Sequence, residues 1–270
     1  VRRFGLRVAL DSFTGARTRF GIPPAEIRAA AGTAAGLGLG IEALSTHLVS
    51  TDFEPASGRV VVSWPRSPGE HAAAASVLAA LAREVEGVET LDLGGGFPAP
   101  SVASEHARAV AMALRDGGFA GTLLLEPGRA LVADTVALAF TVVAVKQLAD
   151  GTRCLICDAG TNLLPGALTA TPAIEAPESA GPHSRAMVTG PLCLNIDVLH
   201  PGAILPPIDP GAALVARDVG AYQQVASTQF GGPRPAVAVM DHGGWRLHTP
   251  AEGMDALVPS HAIHFERGAS

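Results

Sequence analysis

Between residues 39 and 125, short aliphatic runs alternate with longer Ala-rich stretches, and no other feature constrains the fold as much. The runs at 39–44, 90–93 and 122–125 have strand length and composition, and the stretches at 68–85 and 101–115 have helix length. Strands separated by helices pair in parallel, because a parallel neighbour needs a long crossover. The same alternation begins earlier, with a strand predicted over 6–10 and a helix over 24–35 that Gly36 and Gly38 end. Pro68 near the start and Gly87 past the end punctuate the clearest helix, and Ser101 is the predicted N-cap of the next, with Glu105 in its first turns. The expected product is a parallel sheet or part of a (β/α) barrel, which places functional groups just after the C-terminal ends of its strands.

Beyond about residue 132 the helices stop. Strands are predicted over 135–146, 152–157, 212–217 and 235–240, with Val215, Val237 and Val239 suited to a β core. The Pro/Ala/Ser/Thr-rich stretch 164–187 reads as a long connection. The expectation is α/β plus all-β, divided into 1–133 and 134–270, with the second part a β-barrel or sandwich.

Composition removes several classes. A formal net charge of −6 with no basic run argues against a nucleic-acid surface. Hydrophobic content of 48% with only 4% aromatics describes an aliphatic core. No apolar run reaches the roughly 18 residues that span a bilayer, and the longest candidate, 130–145, is broken by Asp134. The start is basic then apolar, but Arg7 and Asp11 leave it too short and polar for a signal-peptide core. Cys154 and Cys157 have metal-pair spacing, yet on a strand residues three apart face opposite sides, and no second Cys/His pair accompanies them. Three cysteines make no disulfide framework, so a reducing, cytoplasmic setting is expected.

The chemistry lies in ordered segments at the predicted strand ends. Gly94, Gly95 and Gly96 directly follow a strand and suit close backbone approach to an anion. Arg129 beside Gly128 suits a phosphate, and Glu126, three residues earlier, suits a basic heteroatom elsewhere on the same ligand. A phosphate at one end and a protonatable nitrogen at the other describe pyridoxal phosphate.

With Gly94-Gly95-Gly96-Phe97-Pro98, Glu126-Pro127-Gly128-Arg129 and Gly190-Pro191-Leu192-Cys193 in that order, the chain resembles the fold-type III pyridoxal-phosphate decarboxylases, the diaminopimelate and ornithine decarboxylase branch. The resemblance implies a TIM-like, alanine-racemase-type barrel followed by a β-domain, and a homodimer with shared active sites acting on a small amino acid. It implies that Glu126 bonds the pyridine nitrogen, keeping it protonated and the ring a strong electron sink. Racemases of this fold use an Arg there, so Glu126 favours decarboxylation over racemisation. Arg129, Gly128 and the glycine triplet then serve the phosphate. His47, in Thr46-His47-Leu48-Val49-Ser50, would stack on the cofactor ring and Ser50 would contact phosphate, although Val49 replaces the family's Gly. Asp158, in Cys157-Asp158-Ala159-Gly160 with Asn162 after it, would lie near substrate. Cys193 would protonate the carbanion left by carbon dioxide, and Tyr222, the only tyrosine, would reach phosphate across the dimer. The family's acidic residue after the cysteine, which meets a substrate's distal ammonium, is here Leu194, leaving Asp158 or Asp197 as candidates for that task.

One family element has no counterpart. The only lysine, Lys146, falls well after the Glu-Pro-Gly-Arg segment, whereas the family's cofactor-carrying lysine lies in the N-terminal half of the barrel. About 130 residues precede the β part, about half of the roughly 250 in a complete barrel. The chain also begins at Val1 rather than Met. The expectation is a fragment of a longer enzyme, inactive alone. A split enzyme and a non-catalytic homologue or binding module for a phosphorylated metabolite are the alternatives, with a pyridoxal-phosphate-dependent racemase as a further one.

Overall fold

The structure, a computed structural model, describes residues 2–10, 19–48, 50–54, 59–63, 67–98, 100–177 and 181–257, with the backbone alone described at 50–54, 59–63 and 100–102. The chain splits into two compact units, Val1–Val136 and Ala137–Ser270.

The first unit runs β1 (Arg2–Arg7), α1 (Ile27–Gly36), β2 (Leu39–Ser45), β3 (Ser50–Glu54), β4 (Arg59–Ser63), α2 (Pro68–Ala82), β5 (Thr90–Asp92), α3 (Pro100–Asp116), β6 (Thr122–Leu124) and α4 (Gly128–Val132). Four strands form one parallel sheet in the order β1-β2-β5-β6. Ile27, Leu44, Leu78, Leu91 and Val110 are fully buried and make its core. Ser67 and Glu70 form a capping box at the head of α2, the Ser67 N–H donating to Glu70 Oε2 at 3.3 Å, and Pro68 takes the first helical position.

Several boundaries differ from the sequence reading. β1 occupies Arg2–Arg7 rather than 6–10, pairing with β2 from Arg2 opposite Leu39 to Arg7 opposite Ser45; on its exposed side Arg3 Nη1 lies 3.6 Å from Glu42 Oε2 and 3.9 Å from Glu89 Oε2. Helix α3 starts at Pro100, which puts Ser101 inside the first turn rather than at the cap; a missing N–H costs nothing there. β3 and β4 form an antiparallel hairpin, with Ser50 opposite Ser63, that the sequence reading did not contain.

The second unit contains β7 (Leu138–Gln147), β8 (Arg153–Cys157), β9 (Ala173–Glu175), β10 (Ser184–Thr189), β11 (Val198–Leu205), β12 (Ala213–Arg217), α5 (Gln223–Ala226), β13 (Val237–Asp241) and β14 (Gly244–Thr249). Six strands form a sheet in the order β11-β10-β8-β7-β12-β9, parallel only between β10 and β8. Val142, Leu155, Cys157, Val188, Leu199 and Leu214 fill its core. Residues 164–187 are more than a connection. They hold a 3-10 turn at Pro165–Leu168, the edge strand β9 and the start of β10. β11 was missed because Pro201 and Gly202 interrupt it, and the pairing shows how they are tolerated: β11 is an edge strand, and its register with β10 slips between Ala186 and Val188. β13 and β14 pair as a separate hairpin. Among the described residues no helix is long and apolar enough to cross a membrane.

Candidate functional site

In the first unit, β2, β5 and β6 end in register: Ser45 pairs with Asp92, and Asp92 with Leu124. The residues that follow therefore leave the sheet at one edge. Backbone bonds continue past the strands, from Thr46 N–H to the Asp92 carbonyl at 2.8 Å, Leu93 N–H to Leu124 at 3.1 Å, and Glu126 N–H to Gly94 at 2.9 Å. Buried Thr46 anchors the turn before His47, its Oγ1 donating to the Val8 carbonyl at 3.1 Å.

This stitching brings together His47, the glycine loop and Glu126. Gly95 N–H donates to His47 Nδ1 at 3.2 Å, and Glu126 Oε2 lies 3.7 Å from the same nitrogen. One ring nitrogen cannot both accept from Gly95 and donate to Glu126. The shorter contact governs, so His47 carries its proton on Nε2 in this arrangement. A methyl group at Gly95 would stand 2.9 Å from His47 Cε1 and 3.0 Å from the Glu126 carbonyl oxygen, so glycine is needed for this approach. Gly94 (φ 63°) and Gly96 (φ 82°) hold the left-handed conformations that turn the loop.

Part of the loop's donor set is already engaged. Gly94 N–H is taken by Asp92 Oδ1 at 2.8 Å and Gly95 N–H by His47, so two of the triplet's three donors are engaged within the protein. The Asp92 carboxyl is pushed above the usual range, first by burial; the Gly94 N–H opposes this, and the neighbouring Glu126 carboxylate adds to it. Glu126 itself is exposed and Arg129, in the first turn of α4, is half-buried. Ser50 opens β3, with its side chain outside the described residues, as is Val49 altogether.

Beneath the loop lies a pair the sequence reading missed. His71 on α2 and His106 on α3 are both buried, their Nδ1 atoms 2.9 Å apart. The His71 ring stacks on Phe97 at 4.5 Å between centroids. Burial pushes the His71 pKa down to about 4, the Gly95 carbonyl pulling it back and His106 lowering it further. The signal was present: Ala74, Ala75 and Leu78, three of the buried residues of α2, stand three, four and seven positions after His71, which marks it as core-facing.

In the second unit, Asp158 follows β8. Its backbone N–H donates to the Thr141 carbonyl at 3.0 Å, and its Oδ1 accepts from the Thr141 N–H at 2.7 Å; the residue is exposed. Asn162 is buried, its carbonyl accepting from Thr228 N–H at 2.8 Å. Cys193 is exposed, whereas Cys154 and Cys157 are buried, and burial pushes the Cys157 thiol up to about 12. Leu194 and Ile196 are exposed beside Cys193. Tyr222 is exposed and has φ 68°, a left-handed conformation uncommon for a non-glycine residue, which Asp218 shares at φ 57°.

Asp197 departs most from expectation. The sequence reading offered it to substrate, but it is only 3% exposed, and its carboxylate accepts from Thr161 N–H at 2.6 Å, Thr161 Oγ1 at 2.9 Å and Leu192 N–H at 2.8 Å. Lys146 lies in this second unit, exposed near the end of β7 and opposite Cys154.

Comparison with known proteins follows the same lines. The family described as "Pyridoxal-dependent decarboxylase, C-terminal sheet domain" matches residues 45–220. The diaminopimelate decarboxylase of Helicobacter pylori is 35% identical over 128 residues, which cover 45% of this chain and 31% of that protein. That of Deinococcus radiodurans is 29% identical over 237 residues, covering 86% of this chain and 58% of that one. The crystal structure of the Helicobacter pylori enzyme complexed with L-lysine shares the fold, with a TM-score of 0.74 at 23% identity over 94% of this chain and 66% of that chain. The chain thus spans between 31% and 66% of the length of these relatives.

Proposed function

Because the chain belongs to the pyridoxal-dependent decarboxylases, we propose that it carries the cofactor-holding edge and the protonating thiol of an amino-acid carboxy-lyase. The observation that carries this is the in-register ending of β2, β5 and β6, which sets His47, the glycine loop and Glu126 on one edge. These residues fit pyridoxal phosphate. An exposed carboxylate stands beside an imidazole, and a glycine loop in which a Cβ at Gly95 would crowd His47 and the Glu126 carbonyl precedes an arginine in the first turn of α4.

When bound, pyridoxal phosphate supplies the electron sink into which the bond between Cα and the carboxylate can break. The chain's residues do the rest. Glu126 holds a proton on the ring nitrogen, where a carboxylate opposite a cationic N–H is favoured. His47, fixed by Gly95 N–H, offers a flat face to the ring. Gly96 and Arg129 serve the phosphate, with Ser50 and Tyr222 as further contacts. Cys193 donates a proton to Cα after carbon dioxide has left. Asp158 stands at the substrate's side.

On this reading the four-stranded parallel sheet is part of a (β/α)8 barrel, the working enzyme is a cytoplasmic homodimer with shared sites, and the lysine that carries the cofactor is supplied from outside these 270 residues. Cofactor titration of the chain followed by borohydride reduction and peptide mass spectrometry tests this. Expected is reversible binding, lost on dialysis and weakened by Arg129→Ala, without a covalent adduct. A stable adduct on Lys146, or no binding at all, would overturn it.

A further inference from the structure

Asp197 has more bonds than its place beside a reactive loop requires. Its side chain ties Thr161, in the turn after β8, to Leu192, in the loop before β11. Its backbone closes the loop as well: Asp197 N–H donates to the Leu194 carbonyl at 2.9 Å, and its carbonyl accepts from Gly190 N–H at 3.0 Å. Cys193 is therefore bracketed, with the residue before it held by its N–H and the residue after it by its carbonyl, both to Asp197.

Two glycines make room for the arrangement. A methyl group at Gly160 would lie 2.6 Å from Asp197 Oδ1, and one at Gly190 would run into Asp197 Oδ2 and the Gly160 Cα. Neither has a positive φ, so it is the carboxylate and not the turn that demands glycine. A buried carboxylate costs several kcal/mol unless its lone pairs are satisfied, and three donors satisfy this one.

We propose that Asp197 is a positioning residue for Cys193. It locks the Gly190–Leu194 loop to the turn carrying Asp158 through Thr161, and so fixes how the thiol is presented. The consequence for protonation rests on the function proposed above, but the positioning does not, and it can be read without cofactor or turnover. Because Cys154 and Cys157 are buried and Cys193 is exposed, a disulfide reagent such as dithiobis(nitrobenzoate) reports on Cys193 alone in the folded chain. The Cys193 thiolate attacks the reagent's disulfide, forms a mixed disulfide and releases one thionitrobenzoate.

The experiment compares wild type, Asp197→Asn and Thr161→Val across pH. Thr161→Val removes one donor and leaves the charge in place. Expected are one reacting thiol in all three and a plateau rate at high pH that rises several-fold in Asp197→Asn and by a smaller factor in Thr161→Val, as the loop loosens. A shift confined to the midpoint of the rate profile would mean that only the carboxylate's charge is felt, and would overturn the proposal. So would unchanged plateau rates. Three reacting thiols in Asp197→Asn, with Thr161→Val like wild type, would make Asp197 a residue of the fold rather than of the loop.

Discussion

Replacing His71 with Gln removes a titrating group from beneath the glycine loop while keeping an amide that can meet His106. In the folded chain the His71 pKa falls from 6.5 to about 4, because burial penalises the charged ring; His106 and His47 add to the penalty, and the Gly95 carbonyl and Glu70 oppose it. The unfolded chain therefore binds a proton between those values that the folded chain refuses. The stability this gives is fully present above pH 6.5, and it is lost as the pH falls toward about 4. Integrated at one site, the loss at pH 5 is about 2 kcal/mol. The ring is fully buried, so solvent screening removes little of this. A loss of that size moves a melting temperature by roughly 5–10 °C in a unit of this size.

Melting curves by circular dichroism at pH 7 and pH 5, for wild type and His71→Gln, test the argument. The variant is expected to be less stable at pH 7, having lost the stack on Phe97, but to lose much less on acidification. Some acid sensitivity should remain, because burial also lowers the pKa of His106. If both proteins lose the same stability between the two pH values, His71 is not held neutral in the fold and the reasoning fails.

Glu126→Gln should depress carbon dioxide release by the lysine-complete enzyme far more than cofactor affinity, since the phosphate contacts remain; an unchanged turnover number would remove Glu126 from the ring nitrogen. Gly190→Ala drives a methyl group into the Asp197 carboxylate and the Gly160 backbone and should cost about 1–3 kcal/mol, read as a lower urea midpoint; wild-type stability would mean the two loops are not packed this closely.

The strand–helix alternation was legible because its signals are local. Pro68 near the start of α2, glycines past helix ends and aliphatic runs all lie within a few residues of what they specify. Two of the strands that escaped notice owe their place to the strand they pair with. β9 has only three residues and exists because β12 accepts it at a sheet edge, and β11 survives Pro201 and Gly202 because β10 slips register opposite them. The site divides in the same way. His47, Glu126 and the glycines could be read from their places after strands. The direction of a carboxylate could not, because an Asp offered to a ligand and an Asp consumed by backbone donors look alike in sequence. Gly160 and Gly190 were the available hint, since neither needs a left-handed backbone.

That distinction bears on substrate choice. Asp92 accepts from Gly94 N–H, and Asp197 from Thr161 and Leu192, so both carboxylates face the loops that hold them. The side chains exposed next to Cys193 are Leu194, Asn195 and Ile196, none of them charged. An ammonium brought against that surface would lose water and meet no carboxylate, only the neutral Asn195 amide, which leaves its charge uncompensated at a cost of several kcal/mol. A site built for a cation rejects neutral analogues strongly, and the reverse discrimination follows from the same physics. Among these second-unit residues Asp158 alone keeps an exposed carboxylate, with one oxygen engaged by Thr141 N–H. The expected preference is therefore an amino acid with a neutral side chain, and Asp158→Asn should change KM for it little. Carbon dioxide release by the lysine-complete enzyme, measured over a panel of neutral and basic amino acids, decides the matter. Ornithine, lysine or diaminopimelate as the best substrate, with activity lost in Asp158→Asn, would refute the apolar reading and assign the cation to Asp158.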